Sequence, residues 1–230
     1  MGKKQTVYGN CWIAYFDILG FKKLISKYKG HIDCFARGIY DEILEEIKKR
    51  SERVSEALNK NVNYAWFSDS FLFFTEDDTY ASYSSIDIVL WEYFQKMMFK
   101  GYSLRGALAV GEFYANKDRH TYIGPALIEA YSYAEKQKWI GLVLTPEAGK
   151  KLSEPGYVIN KINYSEYEVP IKSEKIKKEK LFARNIRSLE KYIIRMQNTA
   201  KVEEEYEKKL KVIYENTLEF IKHLKSQGIE

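Results

Sequence analysis

The chain alternates between two hydrophobic periods, and that alternation limits its fold more than any other feature. Cys11 to Phe16 (CWIAYF) is a β-branched and aromatic run of strand type that ends in Asp17. Ile18, Leu19 and Gly20 then make a tight turn, and apolar helical spacing begins at Phe21, Leu24 and Ile25. Gly30 interrupts that helix, and Ile39, Ile43, Leu44 and Ile47 mark one face of a segment that continues towards Leu58. Strand signals return in Val62 to Phe67 and Phe71 to Thr75, which flank Ser68, Asp69 and Ser70 as a β-hairpin with a carboxylate at its tip. Ser82 to Lys100 carries apolar residues at helical spacing and is stopped by Gly101. Ser103 to Tyr114 is a further strand, Gly124 and Pro125 open a helix through Lys138, Leu142 to Leu144 is a short strand, and Pro146 starts a helical turn.

The resulting order, βαββαβαβ, predicts an α+β fold: a sheet with helices on one face, ferredoxin-like in its first four strands and with right-handed crossovers. Tyr157 to Val169 reads as a pair of strands and the basic stretch Lys172 to Lys180 as a loop. Ile186, Leu189, Ile193 and Met196, then Tyr206, Leu210, Ile213, Ile221 and Leu224, predict a long helical region bent around Asn198 and Thr199. The expected organisation is a sheet domain over residues 11–170, a basic linker over 171–185 and a C-terminal helical region over 186–227. No internal repeat indicates a solenoid.

Composition narrows the function classes. Its 230 residues and 45% apolar content supply a real core. No apolar run approaches the roughly 20 residues needed to span a bilayer. Nor does Met1 to Asn10 lead into the apolar segment of a secretory signal, so a cytoplasmic protein without membrane partners is expected. The two cysteines, Cys11 and Cys34, form no CxxC pair, and His31, His120 and His223 lack metal-ligand spacing. There is no GxxxxGK[ST] phosphate loop and no GxSxG nucleophile elbow. The net charge of +5 is spread over 37 basic and 32 acidic residues, and no motif organises the 19 tyrosines into a nucleic-acid surface.

One constellation carries chemistry. Asp17 ends the first strand and Asp69 caps a hairpin, so a ferredoxin-like sheet brings both carboxylates to one end of adjacent strands. A hard cation such as Mg²⁺ accepts carboxylates completed by substrate phosphates, and the turn Ile18-Leu19-Gly20-Phe21 presents backbone amides near a helix N-terminus. An aspartate at a β-turn is also an ordinary turn former, and spacing alone does not separate the two readings.

Five segments, in order, resemble class III nucleotidyl cyclases on the palm fold: FDILGF at 16–21, FSDSFLFF at 67–74, LRGALAVGEFY at 104–114, TYIGPAL at 121–127 and WIGLVLTPEA at 139–148. Phe21-Lys22 also resembles diguanylate cyclases of the related palm fold. The resemblance implies an enzyme that makes a signalling nucleotide from a nucleoside triphosphate with release of pyrophosphate, uses Mg²⁺ or Mn²⁺ and works as a homodimer. It implies that Asp17, Asp69 and the Ile18 carbonyl hold the metals. Ile18, Leu19, Gly20, Phe21, Lys22 and Ser70 would line the nucleotide, and Thr121 matches a base-contacting position. Lys23 and Arg105 are ambiguous between phosphate contact and ordinary roles. Three departures stand against this. Ile128 and Ser132 occupy the positions of the transition-state Asn and Arg, and Ala65 stands at that of the purine-selecting Lys. Loss of an electrostatic stabiliser costs on the order of 100-fold in rate, so the alternative is a catalytically degenerate nucleotide-binding or interaction module on the same fold.

Overall fold

The computed structural model describes residues 5–173, 177–202 and 208–228. Its centre is one eight-stranded sheet built from β1 (Thr6–Ile18), β2 (Asn63–Phe67), β3 (Ser70–Phe74), β4 (Leu104–Asn116), β5 (Thr121–Ile123), β6 (Gly141–Leu144), β7 (Tyr164–Pro170) and β8 (Lys178–Arg184). The strands lie in the order β2-β3-β1-β4-β6-β8-β7, with β5 paired to the far end of β4. The first four strands therefore take the ferredoxin-like arrangement β4-β1-β3-β2, as the element order predicts. β6 adds parallel to β4, the one parallel pair among the described residues.

The helices are α1 (Phe21–Lys27), α2 (Ile32–Ile39), α3 (Glu45–Leu58), α4 (Tyr80–Phe99), α5 (Pro125–Lys136), α6 (Pro146–Lys151), α7 (Glu190–Val202) and α8 (Lys208–Ser226). A π-helical turn, Tyr40–Leu44, joins α2 to α3. Strand periodicity sorts β1 between two cores. Trp12, Ala14, Phe16 and Ile18 enter a large core with α3, α4 and the C-terminal helices; Cys11 and Ile13 enter a smaller one with Ala126 and Ala130 of α5. Gly106 of β4 is required by this packing, because a Cβ there would lie 2.3 Å from the Phe16 ring. No helix among the described residues is long and apolar enough to cross a membrane.

Three expectations are corrected. Tyr157 to Val169 holds one strand, β7, and its partner is β8, inside the stretch expected to be a linker. β8 escapes a hydrophobic reading because Lys178 and Lys180 face solvent at the rim while Leu181, Ala183 and Arg184 are buried. Arg184 is held by Asp87 of α4 at 2.5 Å, and Tyr164 donates to the same carboxylate oxygen at 2.7 Å. The linker also fails at its C-terminal side, since α7 and α8 pack onto the sheet domain. There the Thr217 hydroxyl accepts from the Ile140 amide at 2.9 Å, and Phe220 meets Trp139 with ring centroids 4.8 Å apart. Helix α7 continues through Asn198 and Thr199, where a bend was expected; Tyr206 lies outside the described residues.

Candidate functional site

Asp17 is the penultimate residue of β1, on the sheet face shared with Tyr15 and α5. Asp69 lies in the two-residue turn between β2 and β3, where Ser68 adopts a positive φ of 58° and the Trp66 indole donates to the Ser68 carbonyl at 2.7 Å. The Ile18 amide donates to the Asp69 carbonyl at 3.0 Å, so the end of β1 is tied to the hairpin turn and the two aspartates are neighbours. Ser70 pairs across the sheet with Asp17; its hydroxyl lies 2.5 Å from the Tyr15 hydroxyl and 3.4 Å from Asp69 Oδ1.

Arg105, opposite Asp17 on β4, completes the centre. Its Nε donates to Asp17 Oδ2 at 2.8 Å and its Nη2 lies 2.8 Å from the same oxygen. Neither contact uses Oδ1. The guanidinium is fixed from behind by the Glu135 carbonyl at 2.7 Å, the Gln137 carbonyl at 3.3 Å and Glu135 Oε1 at 2.5 Å. Gln137 is itself anchored, donating to the Gly106 carbonyl at 2.9 Å. Burial pushes the Asp17 carboxyl up to about 6; Arg105 pulls it down, while Glu135 and Asp69 push it further up.

A second cation reaches the centre from the region expected to be a linker. Lys172 follows buried Ile171, which bridges to Gln137, and the Lys172 amide donates to the Lys136 carbonyl at 2.6 Å. Its ammonium lies 3.9 Å from Glu135 Oε2, and burial together with the nearby Arg105 charge lowers its pKa. Of the two cations, Arg105 carried a signal in the sequence: a charge inside an apolar strand demands a partner. Lys172 carried none.

The other expected site residues divide. The amides of Ile18 and Leu19 are taken by the Asp69 and Ser103 carbonyls, so they are not the triphosphate cradle that the sequence suggested. Gly20 precedes α1 with φ 74°, and the Phe21 ring packs on Phe35 at 5.9 Å. Lys22 is exposed on α1, with no contact to either aspartate among the described residues. Thr121 is not brought near Asp17. It pairs with Asn116, and the strand from Arg105 to Asn116 spans roughly 35 Å at about 3.3 Å per residue. Ile128 and Ser132 are exposed on α5, the Ser132 hydroxyl donating to its own helix at the Ile128 carbonyl. Ala65 lies on β2 opposite Leu72.

The chain has the fold of a class III nucleotidyl cyclase catalytic domain, in divergent form. It is similar to the catalytic core of a rhodopsin-guanylyl cyclase with converted specificity, solved in complex with ATPαS (TM-score 0.53, 12% identity, 79% of this chain and 98% of that one). It is also similar to the non-canonical dimeric guanylyl cyclase domain of the RhoGC fusion protein from the aquatic fungus Blastocladiella emersonii (TM-score 0.50, 11% identity, 79% and 98% covered). No family model matches the sequence, and no curated protein does.

Proposed function

We propose that this protein is a divergent metal-dependent nucleotidyl cyclase-like enzyme that converts a nucleoside triphosphate to a signalling nucleotide and pyrophosphate. The observation that carries the proposal is the meeting of Asp17 and Asp69 at the end of β1 and the β2–β3 turn, on the fold whose solved examples include a cyclase core holding ATPαS.

The donor set fits a hard cation. Among the described residues no group of three or more His, Cys, Asp or Glu side chains is placed to hold a metal by itself. Two carboxylates suffice for Mg²⁺ or Mn²⁺ when substrate phosphates supply further oxygens. Asp17 Oδ1 and the Asp69 carboxylate are the candidate ligands, with the Ile18 carbonyl beside them. The ion would neutralise phosphate charge and lower the pKa of an attacking ribose hydroxyl.

The chain's own part is positioning. Arg105, held by oxygens of Glu135 and Gln137, keeps a fixed positive charge beside the carboxylate pair, and Lys172 adds a more exposed one. Lys172, about half exposed, is placed to meet developing negative charge on a triphosphate, while Arg105, its nitrogens engaged by Asp17, Glu135 and Gln137, orients the Asp17 carboxylate. In the reaction, the ribose oxygen forms a bond to the α-phosphorus, the bond from that phosphorus to the bridging oxygen breaks, pyrophosphate leaves, and the hydroxyl proton passes to solvent. Thr121 is too far from Asp17 to serve the same nucleotide in one chain. A base contact from it requires a second copy, in keeping with a homodimer.

A second reading is favoured by one observation: α5 presents exposed Ile128 and self-bonded Ser132 where polar stabilisers are expected, as in a module that binds nucleotide without turning it over. Purified protein incubated with ATP, GTP, CTP or UTP and Mn²⁺ or Mg²⁺, with products identified by mass, separates the two. Pyrophosphate and a new nucleotide, both lost in Asp17→Asn and Asp69→Asn, are expected of the enzyme. Metal-dependent binding without product supports the module, and turnover that survives the double substitution removes the aspartates from the chemistry.

A further inference from the structure

A cleft of about 330 Å³ lies beside the strand ends, between α1, the α4–β4 connection and the α7–α8 hairpin. It is not the Asp17 centre. Ile18, on its wall, belongs to the large core with α4 and α8, whereas Asp17, one residue earlier, projects from the opposite face of the sheet to meet Arg105 and Glu135. The size falls in the range of small-molecule sites.

The lining combines two chemistries. Lys23 and Lys27 of α1 and Arg195 of α7 contribute positive charge, as does Lys100, which also pairs with Glu42. No carboxylate lines the cleft among the described residues. Phe99 and Tyr192 also line it, their ring centroids 4.5 Å apart and their planes inclined at 39°, as does Met196. The floor is polar: the Ser103 hydroxyl lies 3.3 Å from the Tyr214 hydroxyl and donates to the Met196 sulfur at 3.7 Å. Aromatic rings beside cationic side chains match a planar ring that carries an anionic tail.

We propose that this cleft is a second binding site, separate from the aspartate centre, for a planar aromatic ligand bearing a phosphate or carboxylate, of the class and size of a nucleoside monophosphate. Its occupant contacts Leu19, whose amide is bonded to the Ser103 carbonyl at 2.9 Å, two residues from Asp17. The site is thereby placed to influence the carboxylate pair from behind.

The test is calorimetric titration of the full chain in EDTA with AMP and GMP, and with adenosine, inorganic phosphate and decanoate as partial ligands. Metal-free conditions separate this site from one that needs a divalent ion. AMP or GMP is expected to bind at least about tenfold more tightly than adenosine or phosphate alone, and to weaken about tenfold in Arg195→Ala and in Lys27→Ala, each removing one charged contact. Both residues are exposed, and circular dichroism checks that the variants stay folded. Asp69→Asn is expected to leave this binding unchanged. The proposal is overturned if neither nucleotide binds, if both charge variants bind as the parent does, if Asp69→Asn abolishes binding, or if decanoate binds and the nucleotides do not.

Discussion

Asp17 and Arg105 form a partly buried pair in which burial outweighs attraction: the carboxyl is pushed up to about 6 although the guanidinium lowers it. A carboxyl raised above its ordinary 3.8 contributes its full stability below that value and loses it as pH rises through about 6. Removing the guanidinium withdraws the one large influence that favours the charged form. Arg105→Met is therefore expected to cost about 3 kcal/mol at pH 8, where Asp17 would be a buried carboxylate without its partner. The cost should be clearly smaller at pH 5, where the carboxyl is protonated. Urea unfolding of parent and variant at the two pH values measures this, and an equal loss at both would show that the ion pair is not what Arg105 contributes. The two aspartates were legible in the sequence because a strand end and a hairpin tip announce themselves by hydrophobic period. Arg105 showed as a charge inside an apolar strand, but the other charged groups around it did not. Glu135 and Lys172 are ordinary surface residue types whose importance comes from three-dimensional proximity across α5 and β7.

Between elements, the approach of β1 to β4 sets where the carboxylates sit. Phe16 lies over Gly106 and is wedged edge-on between Phe73, at 6.2 Å, and Tyr93, at 5.3 Å, all of them fully buried. A methyl group at residue 106 would meet that ring at 2.3 Å, and the ring has no room to retreat. Gly106→Ala should cost about 1 to 3 kcal/mol by overpacking. It should also weaken metal-dependent nucleotide binding, because Phe16 and Gly106 immediately adjoin Asp17 and Arg105. Thermal unfolding and nucleotide titration of the variant check the two effects, and an unshifted melting temperature would mean that the strands separate more easily than this packing implies. β1, β3 and β6 declared themselves because their apolar runs, CWIAYF, FLFF and LVL, are uninterrupted. β8 did not: KEKLFAR mixes rim lysines with a buried arginine, and its strand character depends on pairing with β7 and on Asp87 of α4.

At the level of the molecule, the C-terminal helices share one hydrophobic core with the sheet. Helical spacing revealed that they exist, but a periodic apolar face does not say what covers it. Here the cover is the sheet domain. Phe220 is fully buried, packing on Trp139 at 4.8 Å and on Tyr167 at 4.7 Å, and the Asn216 side chain donates to the Lys138 carbonyl at 2.8 Å. The Trp139 and Lys138 contacts sit on the connection between α5 and β6, next to the Glu135 and Gln137 carbonyls that hold Arg105. Loss of the helices should therefore disturb the site as well as the fold. Phe220→Ala is expected to cost about 3 to 5 kcal/mol and to lower a single unfolding transition. Tryptophan fluorescence, which senses Trp139, should follow the same curve as far-ultraviolet circular dichroism, which senses all the helices. If α7 and α8 were instead an independent appendage, the substitution would split the two curves and leave the sheet domain melting where it did before. In that case Arg105 would keep its geometry without the helices, and a chain ending before α7 would retain whatever nucleotide binding the parent has.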